Sequence, residues 1–220
     1  MADLAVALFD FDGVIVDTEP IYDVFWNEAS VRFNLGIDDF AYKIKGSTLA
    51  TILTTYFKDY PEEIVQQVKE ESIAYESAMD LPAMPGSIEF LNMLYSNGVR
   101  MAIVTSSDES KIKRAFQMLN IGHLFETVVC ADRITKGKPD PMCYLLAAAD
   151  LGVSPEDCVV FEDSFYGIQS GTNAGMRVVG LSTTNPVETL IDKVHTVVPN
   201  FQNSTFDDYL NWSEKGSSGK

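Results

Sequence analysis

The feature that most constrains the fold is a series of short, uninterrupted apolar runs. The first, at residues 4–9, reads LAVALF and begins almost at the amino terminus. Such runs favour strands buried on both faces, as in a parallel sheet covered by helices on its two sides. Further runs lie at residues 101–104, 127–130, 158–161 and 178–181, with a weaker one at 196–198. The sequence therefore predicts an α/β protein.

Helical segments are predicted between most of these runs. Asn97-Gly98 is typical of a helix end, and the two dipeptides Asp140-Pro141 and Asn185-Pro186 are typical of helix starts. Strand and helix thus alternate along much of the chain. This alternation predicts a doubly wound parallel sheet, a Rossmann-like core.

Residues 19–81 interrupt the alternation. Thr18 can cap a helix with Pro20 in its first turn, and apolar residues then recur at helical spacing; a second such stripe spans residues 65–79. The prolines and glycine of residues 81–86 are typical of a linker. We therefore expect an inserted α-helical cap domain. The expected boundaries are an α/β core at 1–17 and 83–210, a cap at 18–82 and a C-terminal tail at 211–220.

Composition limits the classes of partner. The chain has 16 basic and 32 acidic residues, giving a formal net charge of −16, which argues against nucleic acid and anionic membrane surfaces. No run approaches the roughly 20 apolar residues of a membrane helix, and Met1-Ala2-Asp3 lacks the basic start of a secretory signal. The three cysteines lack metal-site spacing, so they are expected to be reduced core residues. We expect a cytoplasmic protein that is a monomer or weak oligomer.

Polar side chains follow four of the predicted strands. They are Asp10 and Asp12 after the first run, Thr105 and Ser106 after the second, Lys138 after the third, and Glu162 and Asp163 after the fourth. The carboxyl ends of parallel strands meet at one edge of the sheet, where open α/β sheets bind ligands. Carboxylate oxygens suit Mg²⁺, and the lysine, hydroxyl and backbone donors suit a phosphate group. The inventory predicts a site for a small phosphate monoester.

These four groups, in this order, resemble the four motifs of the haloacid dehalogenase superfamily of aspartyl-nucleophile phosphotransferases. The segments that carry the resemblance are DFDGVIVDTEP at 10–20, VTSS at 104–107, KPDP at 138–141 and EDSFYGIQSGTNAGM at 162–176. The helical insertion is similar to the cap of the β-phosphoglucomutase and sugar-phosphatase branch. The resemblance therefore covers nearly the whole chain.

The resemblance implies roles for the acidic residues. Asp10 would be the nucleophile that becomes a transient aspartyl phosphate, and Asp12 would act as general acid and base. Mg²⁺ would be held by the Asp10 carboxylate, the Asp12 backbone carbonyl and Asp163. Glu162 would be either a further ligand or an acceptor outside the first coordination sphere.

The resemblance also implies a phosphate-binding set. Lys138 would neutralise negative charge, while Thr105 and the Ser106 amide would hold the phosphoryl oxygens. Lys45 and Gly46, in a loop between cap helices, are candidates for the substrate entrance. The alternative for this pair is a solvated lysine beside a turn glycine.

Two cap positions distinguish a phosphatase from a mutase. The mutase branch places an arginine shortly after a Lys-Gly pair and a histidine four residues after the first-helix threonine. This chain has Leu49 and Tyr22 at those positions, so a second phosphate would lose its anchor. We therefore expect a Mg²⁺-dependent phosphatase for a sugar or polyol phosphate. The alternatives are a β-phosphoglucomutase and a catalytically silent phosphometabolite-binding relative.

Overall fold

The described part of the protein is residues 4–214 of a computed structural model. Residues 1–3, at the expected start of the core, and 215–220, in the expected tail, lie outside the described residues.

In the described part of the chain, six strands form one sheet with the order β3-β2-β1-β4-β5-β6, and every neighbouring pair in it is parallel. This is the strand order of Rossmann-type doubly wound sheets, so the predicted fold class is confirmed. All residues of β1, β2 and β4 are buried, as their uninterrupted apolar sequences predict. The strands are β1 (Val6–Phe9), β2 (Met101–Val104), β3 (Thr127–Val129), β4 (Cys158–Glu162), β5 (Arg177–Leu181) and β6 (Thr196–Val198).

Four helices separate β1 from β2, and we refer to them together as the cap. They are α1 (Glu19–Arg32), α2 (Phe40–Ile44), α3 (Leu49–Tyr56) and α4 (Glu62–Ala78). The two apolar stripes of the sequence correspond to α1 and α4, and the shorter α2 and α3 lie between them. The cap buries its own hydrophobic cluster, in which Trp26 packs against Phe25 and Phe40.

Within residues 4–214, six further helices cover the two faces of the sheet. They are α5 (Ser87–Ser96), α6 (Glu109–Leu119), α7 (Met142–Leu151), α8 (Phe165–Asn173), α9 (Val187–Leu190) and α10 (Phe206–Ser213). One hydrophobic cluster contains Phe90 of α5, Ile112 of α6 and Tyr209 of α10. The other contains Tyr144 of α7 and Ile168 of α8. The sheet is therefore covered on both faces, as the apolar strands require.

The expected start of a tail at residue 211 is wrong for its first residues, because α10 continues to Ser213. The Trp212 ring lies 5.9 Å from the Phe90 ring and 6.2 Å from the Phe161 ring, measured between centroids. Arg177 donates a hydrogen bond of 2.8 Å to the Trp212 carbonyl. The large apolar surface of Trp212 thus packs onto the core and extends the helix.

The expectations about cysteines and membrane segments can also be compared with the structure. Cys130, Cys143 and Cys158 are all buried and unpaired, as expected. Between residues 4 and 214, every helix is too short or too polar to span a lipid bilayer.

The aromatic cluster around Phe90 generates a first prediction. Phe90 is 2% exposed, and its ring stacks on Phe201 with 4.5 Å between centroids. Phe90→Ala should lower the free energy of unfolding by about 3–5 kcal/mol, because burial is lost and a cavity remains. Urea denaturation measures the change. Val31→Ala, at a site 82% exposed, is the control and should change stability by less than about 0.5 kcal/mol; equal effects of the two variants would contradict the packing described.

Candidate active site

The site lies where β1 and β4 are neighbours in the sheet. Asp10 follows β1 directly, and Asp163 follows β4. From here the chain passes from β1 to β2 on one side and from β4 to β5 on the other. The connections diverge and leave a crevice at the carboxyl ends of these strands, the usual ligand position in such sheets. The sheet order thus brings together residues that are about 150 positions apart in sequence.

Lys138 joins two buried carboxylates. Its Nζ donates to Asp10 Oδ1 at 2.8 Å and to Glu162 Oε1 at 2.6 Å, with a third bond to the Val104 carbonyl at 3.2 Å. Burial and the charge of Glu162 raise the pKa of Asp10 to about 7, although Lys138 acts in the opposite direction. The ammonium is therefore held in one place beside Asp10 by three acceptors.

Glu162 is fully buried, and both of its oxygens accept hydrogen bonds. Oε1 accepts from the Tyr144 hydroxyl at 3.0 Å as well as from Lys138. Oε2 accepts from the amides of Asp163 and Ser164 at 3.0 and 3.1 Å, and from the Ser164 hydroxyl at 3.1 Å. The side chain thus fixes the loop after β4 and orients Lys138.

Asp10, Glu162 and Asp163 form a compact acidic cluster, with one oxygen from each lying within 4.8 Å of the others. Burial and repulsion from Glu162 raise the pKa of Asp163 well above its ordinary value, and the Thr184 hydroxyl donates to Asp163 Oδ2. Buried oxygen ligands that repel one another fit a hard divalent cation such as Mg²⁺. Because Glu162 is saturated with donors, Asp10 and Asp163 offer the better ligand oxygens.

The Asp12 side chain lies in a separate network, outside this cluster. Lys111 Nζ donates to its Oδ1 at 2.5 Å, Ser107 Oγ donates to its Oδ2 at 2.7 Å, and the Thr18 hydroxyl also donates to Oδ1. Burial alone would raise the pKa of Asp12, but Lys111 and the two hydroxyls outweigh burial and hold it below its ordinary value. Asp10 and Asp12, two residues apart, thus have different lysine partners and opposite pKa shifts.

Lys111 is a site residue that the sequence interpretation missed. Its side chain is 1% exposed, and besides Asp12 its Nζ approaches the Tyr22 hydroxyl at 2.8 Å and Glu76 Oε1 at 3.5 Å. The Tyr22 hydroxyl also donates to Glu76 Oε1 at 2.5 Å. Lys111 lies in the first turn of α6, the helix that follows β2. Its position near the carboxyl end of a strand is the sequence feature that could have identified it as a site residue.

Thr105, Ser106 and Gly46 lie where the cap meets the sheet edge. Thr105 is buried, and its Oγ1 accepts from the Ser107 amide at 3.0 Å. Ser106 Oγ donates to the Gly46 carbonyl of the cap at 2.8 Å. Gly46 has φ +79°, and a Cβ at this position would lie 2.6 Å from Ser164 Oγ. Glycine thus permits a close approach, so the cap is closed over the site.

A cavity of about 460 Å³ lies between the cap and the sheet edge. Lys45 lines it and pairs with two acids of α1: Glu19 and, at 3.1 Å, Asp23. The cavity lining also includes Tyr22 and Leu49, the two positions where the mutase branch has other residues. Among the predicted site residues, those lining the cavity are Asp10, Asp12, Lys45, Gly46, Thr105, Ser106 and Asp163; Lys138 and Glu162 lie behind it.

Comparison with known proteins gives consistent results. The family model described as haloacid dehalogenase-like hydrolase matches residues 7–181. The chain is 30% identical over 191 residues to validoxylamine A 7′-phosphate phosphatase of Streptomyces hygroscopicus subsp. limoneus, covering 85% of this chain and 90% of that protein. It is 33% identical over 177 residues to hexitol phosphatase A of Escherichia coli K12, covering 80% and 82%. The crystal structure of β-phosphoglucomutase from Clostridium difficile has a TM-score of 0.81 at 24% identity, covering 96% of this chain and 97% of that one.

The contact between α8 and Glu162 generates a second prediction. A Cβ at Gly167 would lie 1.6 Å from Glu162 Oε1, so Gly167→Ala must displace this carboxylate from its donors. We expect a loss of about 1–3 kcal/mol in the free energy of unfolding, because buried polar groups lose their partners. Urea denaturation measures it, and Thr172→Ala, on the exposed side of α8, is the control. Equal stability of the two variants would contradict this packing.

Proposed function

The chain belongs to the haloacid dehalogenase-like hydrolase family, and we propose that within this family it is a Mg²⁺-dependent phosphatase acting on a small sugar or polyol phosphate. The observation that carries the proposal is the pairing of Asp10 with Lys138 beside Asp163, at the floor of a cavity covered by a cap. The phosphatase names of the two relatives described above support it.

In the proposed reaction, a carboxylate oxygen of Asp10 attacks phosphorus in line with the leaving oxygen. The oxygen–phosphorus bond to Asp10 forms while the bond to the substrate alkoxide breaks, giving an aspartyl phosphate. Water then attacks this phosphorus and releases inorganic phosphate and the Asp10 carboxylate. Lys138, 2.8 Å from Asp10, offsets the negative charge of nucleophile and phosphate.

Asp12 carries the proton in both steps. The low pKa of Asp12 favours the carboxylate that takes a proton from the attacking water, and the negative charge of a bound phosphate would favour the acid form that donates a proton to the departing alkoxide. The donors Lys111, Ser107 and Thr18 fix its orientation. Its separation from the Lys138 network lets Asp12 change protonation state without loss of the ion pair at Asp10.

The remaining candidates bind the phosphoryl oxygens or the cation. We assign the Thr105 hydroxyl and the Ser106 amide to the phosphoryl oxygens, because both residues lie at the end of β2 and line the cavity. Asp10, Asp163 and the Asp12 backbone carbonyl would hold Mg²⁺, with Glu162 as the acceptor behind them. The bound ion would supply positive charge that favours the ionised carboxylates and offsets the charge of the phosphate.

The residues of the cap favour hydrolysis of the phosphate ester over the mutase reaction, in which the phosphate moves to another position of the same sugar. Leu49 offers no charge for a second phosphate, and Tyr22 uses its hydroxyl in the network with Lys111 and Glu76. A bisphosphate intermediate would therefore be poorly held in the closed cavity.

Substitution of the two aspartates tests the mechanism. The wild type with Mg²⁺ should release phosphate from p-nitrophenyl phosphate and from a sugar phosphate. Asp10→Asn should abolish release because the nucleophile is lost, and Asp12→Asn should lower kcat by about 10²–10⁴-fold. Acid quench should show phosphate bound covalently to the wild type and not to Asp10→Asn. Conversion of β-glucose 1-phosphate to the 6-phosphate without net phosphate release would contradict the phosphatase assignment.

Metal removal tests the assignment of the acidic cluster. EDTA should abolish phosphate release, and excess Mg²⁺ should restore it. Asp163→Asn should raise the Mg²⁺ concentration for half-maximal activity by more than about tenfold. Asp207→Asn, which removes an exposed carboxylate on α10, is the matched control and should leave that concentration unchanged. Full activity of the wild type in EDTA would overturn the Mg²⁺ proposal.

A further inference from the structure

The cavity between the cap and the sheet edge is strongly acidic. Within residues 4–214, Lys45 is the one basic side chain among the cavity-lining residues, and seven of those residues are carboxylic acids. The acids are Asp10, Asp12, Glu19, Asp23, Glu76, Asp108 and Asp163. The residues proposed for the reacting phosphate and its cation account for only part of this set.

Lys45 is already neutralised. Its side chain is 11% exposed, and its ammonium contacts Glu19 and lies 3.1 Å from Asp23. The triad of Glu19, Asp23 and Lys45 thus carries more negative than positive groups. A substrate anion that approached Lys45 would have to displace one of these carboxylates or lie beside both of them.

Lys111 is no better placed to bind a second anion. It lies behind the cavity wall and contacts both Asp12 and Glu76. The Glu76 and Glu19 side chains already experience an unfavourable environment for negative charge. Burial raises the pKa of each carboxyl, and repulsion from Asp12 contributes to both shifts.

We infer that the substrate carries no anionic group besides the reacting phosphate and that its alcohol part is uncharged or positively charged. This inference rests on the proposed function and narrows its substrate class. An enclosed second phosphate or carboxylate would meet like charges, and the cavity lining as described offers it no unpaired cation, so such substrates are disfavoured. Hydroxyl or ammonium groups, by contrast, can donate to the carboxylates of Glu19, Asp23 and Glu76.

Matched pairs of esters test the inference. Sorbitol 6-phosphate and 6-phosphogluconate share a six-carbon chain and differ at one end, where the first has a hydroxymethyl group and the second a carboxylate. Glucose 6-phosphate and glucosamine 6-phosphate differ by an ammonium group. We expect kcat/KM to be at least about tenfold higher for sorbitol 6-phosphate than for 6-phosphogluconate, and at least as high for glucosamine 6-phosphate as for glucose 6-phosphate.

Equilibrium binding separates this inference from the proposed function. Calorimetry with the Asp10→Asn variant and Mg²⁺ measures the affinity of the same four esters whether or not the wild type hydrolyses them. Tighter binding of sorbitol 6-phosphate than of 6-phosphogluconate would support the inference. The inference would be overturned, even if phosphatase activity is present, by either of two results. One is that 6-phosphogluconate binds as tightly as sorbitol 6-phosphate or more tightly; the other is that glucosamine 6-phosphate binds more weakly than glucose 6-phosphate.

Freeing Lys45 should change the specificity. The double variant Glu19→Gln/Asp23→Asn removes both carboxylates from the ammonium and keeps the hydrogen-bonding shapes. The ratio of kcat/KM for 6-phosphogluconate to that for sorbitol 6-phosphate should rise at least about tenfold. Glu28→Gln, an exposed site on the same helix, should leave the ratio unchanged. The comparison of the affinities of the Asp10→Asn variant for the four esters stands by itself if the double variant does not fold.

Discussion

The ion pair of Lys138 with Asp10 and Glu162 is the interaction on which the rest of the site depends. A lysine that is 3% exposed cannot remain charged without close acceptors, and this one has two carboxylates and a backbone carbonyl. Those acceptors come from the ends of β1, β2 and β4, so the contact joins three neighbouring strands at their carboxyl ends. The position of Asp10 therefore follows from the strand order. Glu162, held by five hydrogen-bond donors, fixes Lys138 at the end of β4.

Asp10 and Asp12, two residues apart, differ in their properties because they contact different lysines. Asp10 faces the sheet edge, where burial and neighbouring acids raise its pKa to about 7. Asp12 turns toward α6, where Lys111 and two hydroxyls hold its pKa low. In the proposed function a bound cation would counter the raised pKa of Asp10 and favour its nucleophilic carboxylate, while Lys111 and the two hydroxyls hold Asp12 in position as the proton carrier. In the proposed mechanism the cap contributes to this difference, because Tyr22 and Glu76 complete the surroundings of Lys111.

Much of the α/β part could be predicted from sequence, and the cap side of the site could not. The apolar runs predicted the strands because a buried parallel strand needs an apolar side chain at nearly every position. The meeting of Asp10, Lys138 and Asp163 followed from the rule that strand ends share one edge. Lys111 gave a weaker signal, its position in the first turn of the helix after β2, because its partners Asp12 and Glu76 belong to distant segments that only the folded cap brings together. Glu19 and Asp23 lie near each other on α1, but their pairing with Lys45 depends on how the loop after α2 folds back.

Part of the net charge of −16 is concentrated around the cavity, where acidic side chains outnumber basic ones. Three lysines at or behind the cavity are paired with acids of the protein itself: Lys138 with Asp10 and Glu162, Lys111 with Asp12 and Glu76, and Lys45 with Glu19 and Asp23. None of the three is left over for a distal anion of the substrate. In the proposed function, affinity for one phosphate comes from the floor of the cavity, where Lys138 and a bound cation would act together, while the acids of the cap would disfavour further negative charge. The same acidic excess that disfavours polyanions would then accommodate a monoester, because the acids at the floor of the cavity form a cluster suited to a cation, whereas those of the cap outnumber Lys45.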